Sequence, residues 1–235
     1  MSYIGSKPAN KPVVASDIDP TVITGQTALA VAPADTDEFL ISDAGTLKRL
    51  DASLIGGGSW VLIDTQTVSG TPTTIEPGAV FSATYDTYVI VIRRYNNVSG
   101  GGLQFQLGTA AGYTTSGYRY NGSGVGGTGS SLVTGSSNAT IVDLLGGTSS
   151  TYWTNSSQDC LSGVIWVHNP FNTTRTSIHA EMAWENATDL DAHINNIGAH
   201  PNTNTQHDRW KLLCNGTSQT FEATTIIQTF GVVNA

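Results

Sequence analysis

The sequence predicts an all-β protein whose C-terminal part is an antiparallel β-sandwich of the jelly-roll kind. Short apolar or alternating runs recur from residue 59 onward, and turns rich in Gly, Asn and Ser separate them. No stretch keeps the 3.6-residue apolar period of a helix for long. About eight runs of strand length are typical of two packed antiparallel sheets. We therefore expect a β domain over residues 59–235.

The strand-like runs are short and apolar, and many of their residues are β-branched or aromatic. They cover residues 60–63, 88–93, 103–107, 140–145, 163–168, 176–184, 209–214 and 222–231. The run at 103–107 alternates between apolar and polar residues, which predicts one buried face and one open face. Residues 108–135 are rich in Gly and Ser and include the glycine-rich run 122–127. We interpret them as a long loop, and loops of that length are usually functional or mobile.

Residues 1–58 differ from the rest, because four prolines interrupt them and their apolar runs are short. Two strand-like runs flank Asp43-Ala44-Gly45, which predicts a β-hairpin after an extended segment. The glycines at 56–58 form a joint, so we expect an assembly or docking segment over residues 1–58. Because this segment is too short to cover its own apolar surface, we expect it to pack on another copy or on a larger assembly. The candidate assembly residues of the hairpin are Phe39, Leu40, Ile41, Leu47 and Leu50.

The composition excludes several classes of function. Charged residues make up 12% of the chain and its formal net charge is −8, without a basic stripe, so nucleic-acid binding is not expected. No apolar run approaches the roughly 18 residues of a membrane span, and the N-terminus lacks the pattern of a signal peptide. We therefore expect no membrane insertion and synthesis in a cytoplasm. Cys160 and Cys214 show no metal-binding spacing, which leaves two buried thiols or one disulfide as interpretations.

The N-terminal residues carry a specific resemblance. Met1-Ser2-Tyr3-Ile4-Gly5, the following Lys7-Pro8-Ala9-Asn10-Lys11 and the segment 34–49 resemble the N-terminal regions of virion structural proteins of tailed phages, especially marine ones. Many of those proteins are tail fibres or other surface appendages. The C-terminal run 225–232 is similar to the last strand of many phage appendage sandwiches. The resemblance implies location on the virion, attachment to other virion proteins through the N-terminal segment, a homotrimer and an exposed β domain.

Aromatic residues in polar surroundings are candidates for binding. They lie among Gly, Ser, Thr and Asn, a mixture that adhesive loops use because flat rings contact sugar faces while small polar groups form hydrogen bonds. The alternative for each residue is packing against the core or a subunit interface. The partner would be a glycan or a protein of the host surface. The candidate residues are Tyr113, Tyr118, Tyr120, Tyr152 and Trp153.

Three histidines, His193, His200 and His207, recur at seven-residue intervals near several aspartates. A metal site needs convergent ligands. Gly198 and Pro201 interrupt any helix that could align the three imidazoles, and the spacing is not that of a known metal motif. We therefore expect polar loop residues there, with no metal and no cofactor.

The leading hypothesis is a non-enzymatic, tail-fibre-like appendage that attaches the particle to its host. The first alternative is a capsid decoration, or cement, protein that stabilises the head through buried interface. A more distant alternative is a glycan depolymerase, although no β-helix repeat or nucleophile elbow is present. A depolymerase would need two suitably spaced carboxylates from the set Asp143, Asp159, Glu181, Glu185, Asp189 and Asp191.

Overall fold

The computed structural model describes residues 19, 21–25, 27, 33–34, 36–55, 59–95, 102–126, 131–145, 161–186, 191–215 and 220–234. The chain divides into two compact units, Met1–Gly56 and Gly57–Ala235. Apart from one helical turn, Thr21–Thr24, and one 3₁₀ turn, Ala52–Leu54, the described elements are β-strands. All described strand pairings are antiparallel, so the predicted all-β fold with antiparallel sheets is confirmed. No helix in the described part of the chain has the length and apolar character to cross a bilayer.

The N-terminal unit contains the predicted hairpin, formed by β1 (Glu38–Asp43) and β2 (Thr46–Asp51). Ala44 and Gly45 occupy the turn with φ angles of 49° and 81°. This left-handed pair of conformations matches the twist of the two strands in a two-residue hairpin turn, and glycine adopts it without steric cost. Most of the extended segment predicted before the hairpin lies outside the described residues. In its described part, Thr21–Thr24 forms one helical turn where extended chain was expected.

The candidate assembly residues lie on both strands of the hairpin. Phe39 is 40% exposed and Leu40 is 73% exposed, whereas Ile41 and Leu50 are half-buried. Phe39 pairs with Leu50 across the two strands, and Leu47 lies in β2 opposite Ser42. Much of the apolar surface of the hairpin therefore remains open to solvent.

The C-terminal unit contains two sheets. Its described strands are β3 (Trp60–Thr67), β4 (Thr74–Ile75), β5 (Thr87–Tyr95), β6 (Leu103–Thr109), β7 (Gly112–Tyr113), β8 (Tyr118–Val125), β9 (Ser131–Ala139), β10 (Val142–Asp143), β11 (Leu161–His168), β12 (Ser177–Asn186), β13 (Asp191–Pro201), β14 (Arg209–Cys214) and β15 (Ile226–Val232). Among the described strands, the large sheet has the order β3-β15-β5-β11-β12-β13-β8-β9. The small sheet has the order β10-β6-β14-β4, with β7 paired to β6.

One face of each sheet is apolar and contributes to a single shared core. In the large sheet alternate residues point into this core, for example Tyr88, Ile90 and Ile92 on β5, which are at most 1% exposed. Phe105 and Leu212 contribute from the small sheet. Burial of each such side chain stabilises the fold by about 1.5–3 kcal/mol. We call the buried face of the large sheet its inner face and the opposite one its outer face.

Buried hydrogen bonds join the two sheets across the core. The indole N–H of Trp210 on β14 donates to Thr229 Oγ1 on β15 at 3.0 Å. The backbone N–H of Leu107 on β6 donates to the hydroxyl of Tyr118 on β8 at 2.7 Å. A buried polar group that loses its partner costs about 1–3 kcal/mol. These bonds therefore fix the position of one sheet relative to the other.

Cys214 lies in the same core and is buried. Its Sγ atom is 3.3 Å from the Tyr95 hydroxyl, and burial raises the pKa of the thiol to about 11. A thiol with this pKa stays protonated and unreactive at neutral pH. Cys160, the possible disulfide partner of Cys214, lies outside the described residues.

Most of the predicted strands are present, and several are longer than their apolar runs. Of the run at 140–145, only Val142–Asp143 forms a described strand. The prediction of a long loop over residues 108–135 was wrong, because β7, β8 and β9 occupy most of it. Glycine permits the close strand pairing there: a Cβ atom on Gly124 would overlap the carbonyl oxygen of Ile194 on β13. The prediction of polar loop residues around His193 and His200 was also wrong, because strand β13 covers Asp191–Pro201.

The pH dependence of stability follows in part from His207. This side chain is buried, its Nδ1 atom lies 3.2 Å from Thr176 Oγ1, and burial lowers its pKa to about 4 despite the opposing charge of Asp208. An unfolded histidine has a pKa of about 6.5. Between these values the unfolded chain binds more protons, so stability decreases as the pH falls through this window.

We expect the variant His207→Gln, which keeps a polar group toward Thr176 but cannot be protonated, to lose less stability on acidification. The difference from the wild type should be on the order of 2 kcal/mol between neutral pH and about pH 4. Urea unfolding over a pH series measures it. Parallel pH profiles for the two proteins would contradict this account of His207.

Candidate functional site

The candidate site is the outer face of the large sheet. Alternate residues of each strand point away from the core. On β12, for example, Ala180 and Met182 are buried, whereas His179, Glu181 and Ala183 are exposed. The strand pairings place one residue of each described strand of the large sheet in a single row, which we call the outer row. Its members are Leu62, Phe230, Val89, Trp166, His179, Gly198, Asn121 and Gly135.

The first half of the outer row is apolar and packed side by side. Val89 belongs to the outward-facing set but is 0% exposed, because Phe230 and Trp166 lie beside it on the neighbouring strands. Trp60 extends this surface, with its ring centroid 5.8 Å from that of Phe230. Leu62 is 52% exposed. An apolar strip is therefore held in place by lateral contacts and remains open at one end.

The second half of the outer row contains a depression. The rings of Trp166 and His179 stack, with centroids 5.1 Å apart and planes 18° apart. At the next position, Gly198, nothing lies within 4 Å of the place that a Cβ atom would occupy. Asn121 follows, and its Oδ1 atom lies over Gly135, 2.6 Å from where that residue's Cβ would be. The result is a depression of about 320 Å³ between His179 and Asn121. We call it the Gly198 slot.

Other polar residues lie two positions before and two positions after Gly198 on β13, each with its partner on β8. On one side Asn196 pairs with Ser123 across β13 and β8, and both residues line the depression. On the other side His200 pairs with Arg119 across the same two strands. Asn196 and Ser123 therefore place hydrogen-bonding groups at one end of the slot, and the His200–Arg119 pair is the next outward-facing pair beyond its other end.

A larger groove of about 630 Å³ adjoins the slot on β5, β11, β12 and β13. Val164 and Ile194 supply apolar surface, and Glu181 supplies a carboxylate. Asn196 lines both depressions, so the slot and the groove form one continuous surface. An apolar base with a few convergent polar groups is the usual composition of a small-molecule site. This face can therefore bind a ligand by stacking and hydrogen bonding.

The strand at one described edge of the large sheet is also exposed. Trp60, Val61, Leu62 and Ile63 on β3 are 45%, 39%, 52% and 37% exposed. Consecutive residues of a strand point to opposite faces, so this edge presents apolar side chains on both. Soluble proteins usually protect such edges, because an unpaired apolar strand is a template for association.

The structure describes three of the predicted binding tyrosines and does not bring them together on the outer face. Tyr113 is half-buried on the small sheet, against Gly108, and the Lys211 ammonium lies 4.0 Å from its ring centroid. Burial, assisted by the charge of Glu76, raises its pKa to about 12. Tyr113 therefore covers part of the small sheet and contributes nothing to the outer row.

Tyr118 is fully buried and Tyr120 is half-buried against the core. Burial raises the pKa of Tyr118 to about 12, and its hydroxyl is engaged by Leu107 as described above. A residue in this position has no surface to offer a ligand. The other two predicted binding residues, Tyr152 and Trp153, lie outside the described residues.

Sequence reasoning missed the residues that form the outer row. The sequence predicts Trp166 and His179 only as members of strands. A signal was available, because alternation within 163–168 and 176–184 assigns both to the face opposite Ile165 and Ile178, which are buried. No sequence pattern around Gly198 indicates its role, because that role depends on the pairing of β13 with strands distant in sequence.

The histidines considered for a metal site point in different directions. On β13, His193 is buried on the inner face, with its ring stacked on Trp184 at 5.4 Å, and His200 belongs to the outward-facing set. His207 lies in the core next to Thr176. Within the described residues, no group of three or more His, Cys, Asp or Glu side chains could hold a metal ion.

Comparison with known proteins gave no relative: no protein-family model, curated protein or solved structure matches this chain.

We expect Tyr118→Phe to destabilise the protein by about 1–3 kcal/mol, because the Leu107 N–H would remain buried without an acceptor. Denaturant unfolding measures the loss. The matched control is Tyr113→Phe, which removes a half-buried hydroxyl outside the core and its hydrogen bond to the exposed Glu76, and should cost less than about 1 kcal/mol. Equal losses in the two variants would contradict the structural role of Tyr118.

Proposed function

We propose that this chain is a structural protein of a tailed-phage virion, a homotrimeric tail-fibre-like appendage that attaches the particle to its host. In this proposal residues 1–58 dock onto other virion proteins, and residues 59–235 form a jelly-roll-like tip that faces outward. The protein is made in the host cytoplasm and acts on the surface of the particle. The N-terminal resemblance to phage virion proteins supports the location.

The outer face of the large sheet is the observation that carries the attachment function. The outer face presents an aromatic stack and an open slot lined by the amide side chains of Asn121 and Asn196, and His179 is exposed there. Exposed apolar surface with a polar rim marks an interaction site.

Attachment by this face depends on avidity. A shallow site of this size binds one part of a ligand weakly, and three copies in a trimer multiply the effect because the second and third contacts are intramolecular. Several appendages on one particle would increase the avidity further. A host-surface glycan or protein with repeated features is therefore the expected partner.

The carboxylates of the outer face favour binding over hydrolysis. Among the described residues that line the slot and the larger groove, Glu181 alone carries a carboxylate. Glycoside hydrolysis requires two carboxyl groups about 5–9.5 Å apart. Asp143 is buried in the small sheet and lies far from this face in the strand order. We therefore propose no enzymatic activity.

Self-association uses the apolar surfaces that the two units leave open. Leu40 in the hairpin and Leu62 at the β3 edge are 73% and 52% exposed. Burial of such residues between copies stabilises an oligomer in proportion to the apolar area removed from water. A homotrimer is the symmetric assembly that the resemblance implies.

We expect the full-length chain to sediment as a trimer, and Leu40→Lys and Leu62→Lys to weaken that trimer, since each places a charge in a contact that must be desolvated. The matched control is Val133→Lys on β9, an apolar residue 75% exposed at the other described edge, which should leave the trimer intact. Sedimentation velocity over a concentration series measures the assembly. A monomeric wild type would contradict the proposal.

The β3 edge also favours a second candidate function, capsid decoration, because apolar strands of a cement protein can be buried between head subunits. Cryo-electron microscopy of the purified particle separates the two. We expect density for this chain at the tail, in few copies. Icosahedral density over the head shell would establish the cement function and overturn the appendage.

A further inference from the structure

We propose that the Gly198 slot binds a single pyranose ring of a host-surface glycan, with one face of the ring against the His179 imidazole. This inference rests on the proposed attachment function and deepens it by naming the class of ligand and the residues that hold it. It follows from the width of the slot, the chemistry of its walls and the polar groups at its ends.

The width of the slot fits one ring. Neighbouring strands lie about 4.8 Å apart, so His179 on β12 and Asn121 on β8, separated by β13, stand about 9.6 Å apart at the backbone. Optimal contact between stacked groups is about 3.5–4.0 Å. One inserted ring needs two such contacts, whereas two rings would need three and would not fit. Because Asn121 lies over Gly135, its side chain leaves this space free.

The wall formed by His179 is preorganised. One face of the imidazole is covered by the Trp166 ring, so its other face is directed toward β13 and the slot. Trp166 is itself supported by Val89, which is completely buried between Trp166 and Phe230. The slot thus has an aromatic wall that loses little freedom on binding, which favours affinity.

The ends of the slot match the edge of a sugar. A pyranose has two relatively apolar faces and a rim of hydroxyl groups that both donate and accept hydrogen bonds. Asn196 and Ser123, which line one end of the slot, can do the same, and His200 and Arg119 form the next outward-facing pair beyond the other end. Amide, hydroxyl and guanidinium groups beside an aromatic surface form the amphipathic combination that binds sugars in adhesive proteins.

Other ligands fit less well. A nucleic acid would bring phosphates to a chain of net charge −8, in which Arg119 is accompanied by Glu181 on the same face. An extended peptide would use unpaired backbone at a sheet edge, whereas the base of the slot is the backbone of β13, already paired on both sides with β12 and β8.

The most direct test fills the slot without disturbing the fold. In Gly198→Val the new side chain enters space that contains no other atom within 4 Å of its Cβ, and valine is a good strand residue. The matched control is Ala192→Val on the same strand, an exposed position about 20 Å away along β13. His179→Ala removes the stacking wall.

The probes are the methyl pyranosides of glucose, galactose, mannose, N-acetylglucosamine and glucuronic acid, added to the full-length protein. We expect at least one of them to bind with a dissociation constant in the millimolar range and to shift the backbone amide signals of Gly198 and His179 in NMR spectra. Gly198→Val should weaken this binding at least about tenfold and His179→Ala severalfold, while Ala192→Val binds as the wild type does.

Absence of binding by all five sugars, or equal binding by wild type and Gly198→Val, would overturn the inference. Adsorption assays with whole host cells distinguish this failure from failure of the attachment function. If the full-length protein blocks adsorption and Gly198→Val blocks it equally, the attachment proposal stands and the slot is excluded as its site. If neither protein blocks adsorption, the attachment proposal itself fails.

Discussion

The packing of the small sheet against the inner face of the large sheet is the interaction on which the rest of this domain depends. Trp210 and Tyr118 each bring a polar group into that core and satisfy it on the opposite sheet, so the two sheets are held in one relative position. Because side chains alternate between faces along a strand, the same register that buries Ile165 and Ile178 presents Trp166 and His179 to solvent. A slip of one residue would exchange the two faces and destroy the outer row.

Several features that look like irregularities in the sequence are consequences of this arrangement. Gly124 is needed because β8 approaches β13 too closely for a side chain, and Gly198 and Gly135 leave space on the outer face on either side of Asn121. The low content of charged residues has a related meaning. A surface rich in uncharged hydrogen-bonding groups stays soluble and still binds neutral, hydroxyl-rich partners without the desolvation cost of charges.

Much of the fold could be predicted from the sequence, because strands such as Thr87–Tyr95 and Leu161–His168 are rich in β-branched residues and are surrounded by turn residues. Strands β8 and β13 could not be predicted from the sequence. In β8, glycines replace the side chains that normally signal a strand, and pairing with neighbours distant in sequence overrides their local preference. In β13, His193 and Asn195 are polar residues at inner positions, where Asn195 donates to the Leu144 carbonyl. The site was missed for the same reason, since the outer row combines residues from strands throughout the domain.

The central claim, that the outer face of the large sheet contacts the host, can be tested most directly through the tryptophan indoles. Trp166 lies in the outer row, whereas Trp184 and Trp210 are buried on the core side. In NMR spectra of the full-length protein with the envelope polysaccharide of the host, the account predicts a shift of the Trp166 indole signal and no change at Trp184 and Trp210. Binding that shifts other tryptophan signals and leaves Trp166 unchanged would contradict it.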